Sequence, residues 1–194
     1  YGELWRAACG IARGLSEKVS GRGPVLVLGP KSALTVASFL GCLMNGHAYV
    51  PVDAELPARR VSYIAGQIEG ATMLAICEVP RDLREILPSG QVIDAAALLS
   101  AGPASGEPCA PPPREQWVSG EETQYIIFTS GTTGRPKGIE VTASNIACFQ
   151  GWLAGFPVVR DGGCVFLDQA HYSFDLSEYE LVGALATGGC LHAV

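Results

Sequence analysis

No stretch of this sequence runs unbroken through the ~18 apolar residues that a membrane-crossing helix needs, and the first residues lack the charged-then-apolar pattern of a secretory leader. No basic run exceeds the Arg59-Arg60 pair, and the formal net charge is -6, which argues against a nucleic-acid surface. The two arginines are expected on a solvated helix face. These absences point to a cytoplasmic protein with no membrane span and no nucleic-acid partner. The seven cysteines (Cys9, Cys42, Cys77, Cys109, Cys148, Cys164 and Cys190) include no Cys-x-x-Cys pair and are odd in number, so neither a disulfide framework nor a zinc site is indicated. Most lie in apolar segments and are expected as small buried hydrophobes. His47, His171 and His192 are too scattered for a metal cluster; each is expected to be packed or at the surface, and no metal site is expected within the chain.

What is present suits a globular domain: 194 residues, 48% of them apolar and 16% charged, are enough for one substantial core. A helical pattern (Leu4, Ala8, Ile11, Leu15) starts at once from Tyr1, and Cys190 to Val194 reads as a strand. The chain is therefore expected to be a piece of a larger protein. Between these ends strands and helices alternate. Pro24 to Leu28 is a strand, followed by a helix capped at Ser32 with an apolar stripe of Val36, Phe39, Leu40, Leu43 and Met44, stopped by Gly46. Ala48 to Val52 is the next strand, a second helix runs from Pro57 to Gly70, and Thr72 to Ile76 is strand again. This alternation indicates an α/β fold with mainly parallel sheets and helices on both faces. Residues from about 102 to 116, with Pro111, Pro112 and Pro113, read as an extended or mobile connector within one domain.

The most informative segment is Ile126-Ile-Phe-Thr-Ser-Gly-Thr-Thr-Gly-Arg-Pro-Lys137. Thr123 to Phe128 reads as a buried strand, so the loop springs from a rigid edge. Gly131 and Gly134 allow turns closed to other residues and let main-chain N–H groups approach a ligand. Thr129, Ser130, Thr132 and Thr133 add hydroxyl donors, and Lys137 adds a positive charge, which together suit a polyphosphate. The spacing is not that of a Walker A loop, because two residues separate the glycines, Pro136 precedes the lysine and Gly138 follows it. A Gly/Thr-rich turn joining two strands is the plainer alternative. Beyond it, Ile139 to Thr142 is expected as strand, a helix capped by Thr142 or Ser144 runs to about Leu153, and Val165 to Leu167 is strand.

A second polar cluster, His171-Tyr-Ser-Phe-Asp-Leu-Ser-Glu-Tyr-Glu180, lies between that strand and a final helix from about Glu178 to Thr187, ended by Gly188-Gly189. Open α/β sheets place ligands at such junctions. Helix capping is the alternative, since Ser177 with Glu180, or Asp175 with Glu178, forms a capping box. Glu178 and Glu180 are expected to face solvent or to cap.

The segment from 126 to 137 resembles the phosphate loop of the adenylate-forming superfamily, which contains acyl-CoA synthetases, luciferases and the adenylation domains of peptide synthetases. Similarity extends over nearly the whole chain: Tyr1 to Val19 resembles the opening helix, and Gly46 to Ile64 resembles a second core motif. Phe174-Asp175-Leu176-Ser177 resembles the element with which amino-acid-activating members grip the substrate ammonium. A closer similarity, to D-alanyl carrier protein ligases, lies in Phe149-x-x-Trp152, Phe156-Pro157 and Gln169-Ala170-x-Tyr172 to Ser177. His171 departs from the proline expected there, and Tyr179 from a smaller or more flexible residue.

The resemblance implies ATP and Mg²⁺ as cofactors, with phosphate contacts from Thr129, Ser130, Gly131, Thr132, Thr133, Gly134 and Lys137. It also implies an amino-acid substrate held by Asp175, with Leu176 and Tyr179 lining its side-chain pocket, and a phosphopantetheinylated carrier protein as acceptor. Residues 1–194 would be part of the N-terminal adenylation domain. The catalytic lysine and metal ligand would lie beyond Val194, leaving no catalytic residue in this chain and no turnover by it alone. Activation of D-alanine is the leading expectation. The alternatives are a peptide-synthetase domain for another amino acid, an acyl-CoA or aryl-acid synthetase, and a non-enzymatic binding module.

Overall fold

The computed structural model describes residues 1–86, 92–100, 110–130, 136–160 and 163–194. In chain order the elements are α1 (Gly2–Lys18), β1 (Val25–Gly29), α2 (Ala33–Met44), β2 (Tyr49–Asp53), α3 (Ala58–Ala65) and β3 (Thr72–Ala75). They continue with α4 (Arg81–Ile86), β4 (Val92–Asp94), α5 (Ala95–Ser100), β5 (Thr123–Ser130), β6 (Pro136–Thr142) and α6 (Ala143–Leu153). The last are α7 (Pro157–Arg160), β7 (Val165–Asp168), α8 (Ser177–Thr187) and β8 (Cys190–Ala193).

Six strands form one sheet in the order β4-β3-β1-β2-β5-β6, and β7 and β8 form a second, two-stranded sheet. Among the described residues every pairing is parallel except β5 with β6, as expected of strands joined through helices. Strand alternation divides the large sheet between two apolar layers. Val25, Val27, Leu74, Tyr125 and Ile127 pack with Ile11 and Leu15 of α1, Phe39 of α2 and Leu98 of α5. Leu26, Leu28, Val50, Val52, Met73 and Ile126 pack on the other side with Val61 and Ile64 of α3 and Leu83 of α4. Both faces of β1 are therefore dry, which explains its uninterrupted apolar sequence.

The helix starts follow from local chemistry. Ser32 Oγ accepts the Thr35 amide at 3.1 Å as the cap of α2. Thr142 caps α6 through a reciprocal box with Asn145. Gly188 ends α8 at φ 66°, a left-handed conformation that glycine adopts without a Cβ penalty.

Three expectations need correction. The second helix ends at Ala65 instead of continuing to Gly70, because the chain turns through residues 66–70 before β3. Cys148 and Cys190 are exposed, while Cys9 and Cys42 are buried, so the cysteines are not uniformly core residues; Cys109 lies outside the described residues. Within the Pro-rich connector, residues 102–109 also lie outside them. Arg114–Gln116 forms a single 3-10 turn, and Trp117 is held by donating its indole N–H to Pro112 O at 3.0 Å. Among the described residues no helix is long and apolar enough to cross a membrane.

Candidate adenylation site

The parallel strands β2 and β5 and the segment before α8 converge at the C-terminal ends of the strands, where open α/β sheets leave room for ligands. A cleft of about 760 Å³ opens there, lined by Arg60, Tyr125, Thr129, Ser173, Phe174 and Asp175 among others. Thr129 and Asp175, which belong to two separate sequence motifs, therefore share one cavity.

The Thr129 side is built by β5 and β6, the one antiparallel pair of the large sheet among the described residues. β5 runs two residues beyond the expected Phe128, and β6 begins at Pro136, earlier than expected. Thr129 stands opposite Lys137 in the ladder, and Ser130 opposite Pro136. Exposed Lys137 thus lies across the ladder from the Thr129 hydroxyl at the open end of the sheet. Gly131, Thr132, Thr133 and Gly134 lie outside the described residues.

The other side is a tight segment between β7 and α8. Phe174 N–H donates to His171 O at 2.9 Å, and both the Ser177 amide and its hydroxyl reach Phe174 O, at 3.1 and 2.7 Å. Ser173 Oγ donates to Asp53 Oδ2 in a short hydrogen bond, tying the segment to the end of β2. His171 Nδ1 lies 3.9 Å from the same carboxylate oxygen. Asp168, at the end of β7, accepts from Tyr172 OH at 2.9 Å, and its main-chain oxygen accepts from Lys31 Nζ at 2.6 Å. Two buried carboxylates thus anchor the segment that presents Asp175 at its exposed surface.

The capping explanation for these acids does not hold. Leu176 occupies the N-cap of α8 with no side-chain cap, and the Glu178 amide donates to the main-chain oxygen of Asp175 at 3.0 Å. Glu178 and Glu180, expected at the surface or as caps, are only 5% and 9% exposed. Glu178 Oε1 accepts from Tyr49 OH at 2.8 Å, and Glu180 Oε1 accepts from the Gln169 amide at 3.3 Å. Burial pushes the Glu178 carboxyl up to about 7, with the Tyr49 hydrogen bond opposing the shift. Burial also raises Tyr125, with further contributions from the Glu178 and Asp175 carboxylates.

Leu176 and Tyr179 are both exposed and do not line this cleft; the Tyr179 ring meets Phe166 edge-on at 6.0 Å. Arg60 was missed as a site residue. It was expected on a solvated face, yet it lines the cleft and donates to Phe128 O at 3.2 Å. Tyr125 and Ser173 were also missed. Their signal was the register of β5 and the proximity of β2, neither of which one sequence displays.

The sequence model of the AMP-binding enzyme family matches residues 1–194. The chain belongs to the AMP-binding enzyme family. Among curated relatives, D-alanine--D-alanyl carrier protein ligase of Bacillus licheniformis is 38% identical over 196 residues, covering 100% of this chain and 37% of that protein. The AMP-binding chain thus spans little more than a third of the relatives it matches. Among solved structures, the Klebsiella oxytoca NpsA N-terminal subdomain in complex with 3-hydroxyanthranilyl-AMSN has a TM-score of 0.76 at 21% identity, covering 99% of this chain and 46% of that one. A nonribosomal peptide synthetase in an α-methyl-L-serine-AMP bound form has a TM-score of 0.75 at 27% identity, covering 100% of this chain and 20% of that one. The fold is therefore that of adenylate-forming enzymes.

The described side chains fit part of an ATP site. Thr129 lines the cleft and Lys137 is its partner in the ladder, a hydroxyl-bearing and a cationic residue of the kinds that suit phosphate oxygens. For Mg²⁺ the fit is poorer, since Asp175 is the one carboxylate lining the cleft among the described residues.

Proposed function

We propose that this chain forms part of a ligase that activates an amino acid with ATP, most simply D-alanine, and passes it to the phosphopantetheine thiol of a carrier protein. The observation that carries this reading is the shared cleft of Thr129 and Asp175, which brings the end of the loop-bearing strand and an acidic side chain together. Relatives named D-alanine--D-alanyl carrier protein ligase support the choice of amino acid.

In this reading the substrate carboxylate attacks the α-phosphorus of ATP, the bond to pyrophosphate breaks, and the acyl adenylate is attacked by the thiol with loss of AMP. The chain's own part is positioning and charge. Thr129, Ser130, Gly131, Thr132, Thr133, Gly134 and Lys137 hold the phosphates, and Asp175 orients the substrate by a charge-assisted hydrogen bond to its ammonium. Leu176 and Tyr179 are assigned to the substrate side chain on the motif alone. Bound Mg²⁺ supplies neutralisation of phosphate charge; with Asp175 given to the ammonium, its protein ligand is assigned to the remainder of the full-length protein, together with the catalytic lysine. Residues 1–194 alone are accordingly inactive.

The test is ATP–pyrophosphate exchange by the full-length protein with D-alanine, L-alanine, larger amino acids and a fatty acid. Exchange strongest with D-alanine supports the specific reading. Exchange with another amino acid alone makes it a peptide-synthetase domain, and exchange with the fatty acid alone overturns the role of Asp175.

A further inference from the structure

Glu178 carries a carboxyl that this reading leaves unused, in a place where an acid is costly. It sits in the first turn of α8, 5% exposed, and turns inward to β2, where Tyr49 OH donates to it at 2.8 Å. Among the described residues no lysine, arginine or histidine pairs with it. Burying a carboxylate without a cation carries a penalty of several kcal/mol, which one phenol only partly offsets. The site therefore holds an acid without a countercharge.

Tyr49 connects that acid to the cleft. Its ring stacks on Tyr125 with centroids 5.7 Å apart and planes at 27°, and on Phe39 at 4.3 Å and 19°. Tyr125 in turn lines the cleft beside Asp175. The phenol of Tyr125 feels both carboxyls, which add to burial in holding its proton. Cys42 of α2 faces Tyr49, and burial keeps its thiol protonated. Glu178 thus contacts the phenol of Tyr49, which the Cys42 thiol also faces, and shares with the Asp175 carboxylate an influence on the Tyr125 phenol.

We propose that Glu178 is a positioning and charge-setting residue of the amino-acid site: from behind the Tyr49–Tyr125 wall it supplies a second negative charge to the ammonium held at Asp175, so that amino-acid affinity depends on pH. The inference rests on the amino-acid reading given above. In the free protein burial keeps Glu178 protonated up to about pH 7. An ammonium at Asp175 favours the ionised carboxylate, so binding releases a proton, and by reciprocity raising the pH strengthens binding. A substrate without an ammonium has no such effect.

The test is calorimetric titration of the full-length protein between about pH 6 and about pH 8, the window of the shifted carboxyl. The ligands are D-alanine, or whichever amino acid the exchange panel shows to be activated, and its des-amino analogue. Amino-acid affinity is expected to rise about three- to tenfold across that range, the analogue's to stay flat, and the slope to vanish in Glu178→Gln. Tyr49→Phe is expected to move the midpoint to higher pH, because the lost donor favoured the ionised carboxylate. A merely structural wall would not move that midpoint. A flat profile for the amino acid, an unchanged slope in Glu178→Gln, or an unmoved midpoint in Tyr49→Phe overturns the proposal and leaves the amino-acid reading standing. Failure of every amino acid to bind overturns both. Where Glu178→Gln does not fold, the Tyr49→Phe midpoint decides.

Discussion

Thr129, at the end of β5, and Asp175, just ahead of α8, line one cleft. What joins them is the parallel pairing of β2 with β5 and the Ser173–Asp53 hydrogen bond, which moors the Asp175 segment to the end of β2. The two motifs therefore share one cavity, and each side can be perturbed separately.

On the phosphate side, Lys137→Ala is expected to raise the KM for ATP in pyrophosphate exchange by about 10- to 100-fold, as loss of a charge-assisted contact worth roughly 1.5–3 kcal/mol implies. Lys137 is exposed, so the urea midpoint should stay unchanged. An unaltered KM for ATP would remove Lys137 from the phosphate site.

On the substrate side, Ser173→Ala deprives the buried Asp53 carboxylate of a donor and loosens the segment carrying Asp175. A loss of about 1–3 kcal/mol in urea unfolding is expected, with a higher KM for the amino acid and little change in that for ATP. Equal rises in both would mean general damage instead of a mooring role.

Glu178 makes stability depend on pH in a direction unusual for an acid. Its folded value of about 7 lies above the ordinary 4.5, so between those values the folded state binds more protons than the unfolded state. Stability contributed by this group is greatest below the lower value and falls as pH rises to the upper one, by on the order of 3 kcal/mol. Glu178→Gln removes this loss. Urea unfolding should find the variant more stable than wild type above about pH 8 and close to it near pH 4; a variant less stable at the higher pH would contradict the assignment.

Gly41→Ala probes the contact of α1 with α2 below the sheet. An added Cβ would stand 2.6 Å from Ile11 Cγ2 and 3.0 Å from Ala8 O. Alanine's advantage in helix propensity, about 1 kcal/mol, is outweighed by overpacking against a β-branched side chain and a main-chain oxygen, roughly 1–3 kcal/mol. A net loss of up to about 2 kcal/mol in urea unfolding is expected, and a stabilised variant would show that the helices separate freely.

Much of the architecture was legible because local chemistry and burial agreed. Ser32, and Thr142 as one of two candidate caps, announced their helices, and strands β1, β2 and β3 were apolar runs of the length that a doubly covered parallel sheet demands. The elements missed are short. α4, α5 and α7 have four to six residues and β4 has three, too few for either periodicity to emerge. At the site, the motifs identified Asp175 and the phosphate loop as candidates but could not place Glu178. Asp175-x-x-Glu178 reads as a surface capping box, and only the long-range contact with Tyr49 turns that glutamate into the core. Arg60 was misread for the same reason, since its partner is a carbonyl on β5.

The most direct test of the central claim is the ratio of exchange rates with D-alanine and with propionate, measured on the full-length protein as wild type and as Asp175→Asn. Loss of the carboxylate–ammonium contact should reduce the preference for D-alanine by about 10- to 100-fold or more, with propionate nearly unaffected. A ratio that survives the substitution would contradict the assignment of Asp175 and, with it, the account of this cleft as an amino-acid site.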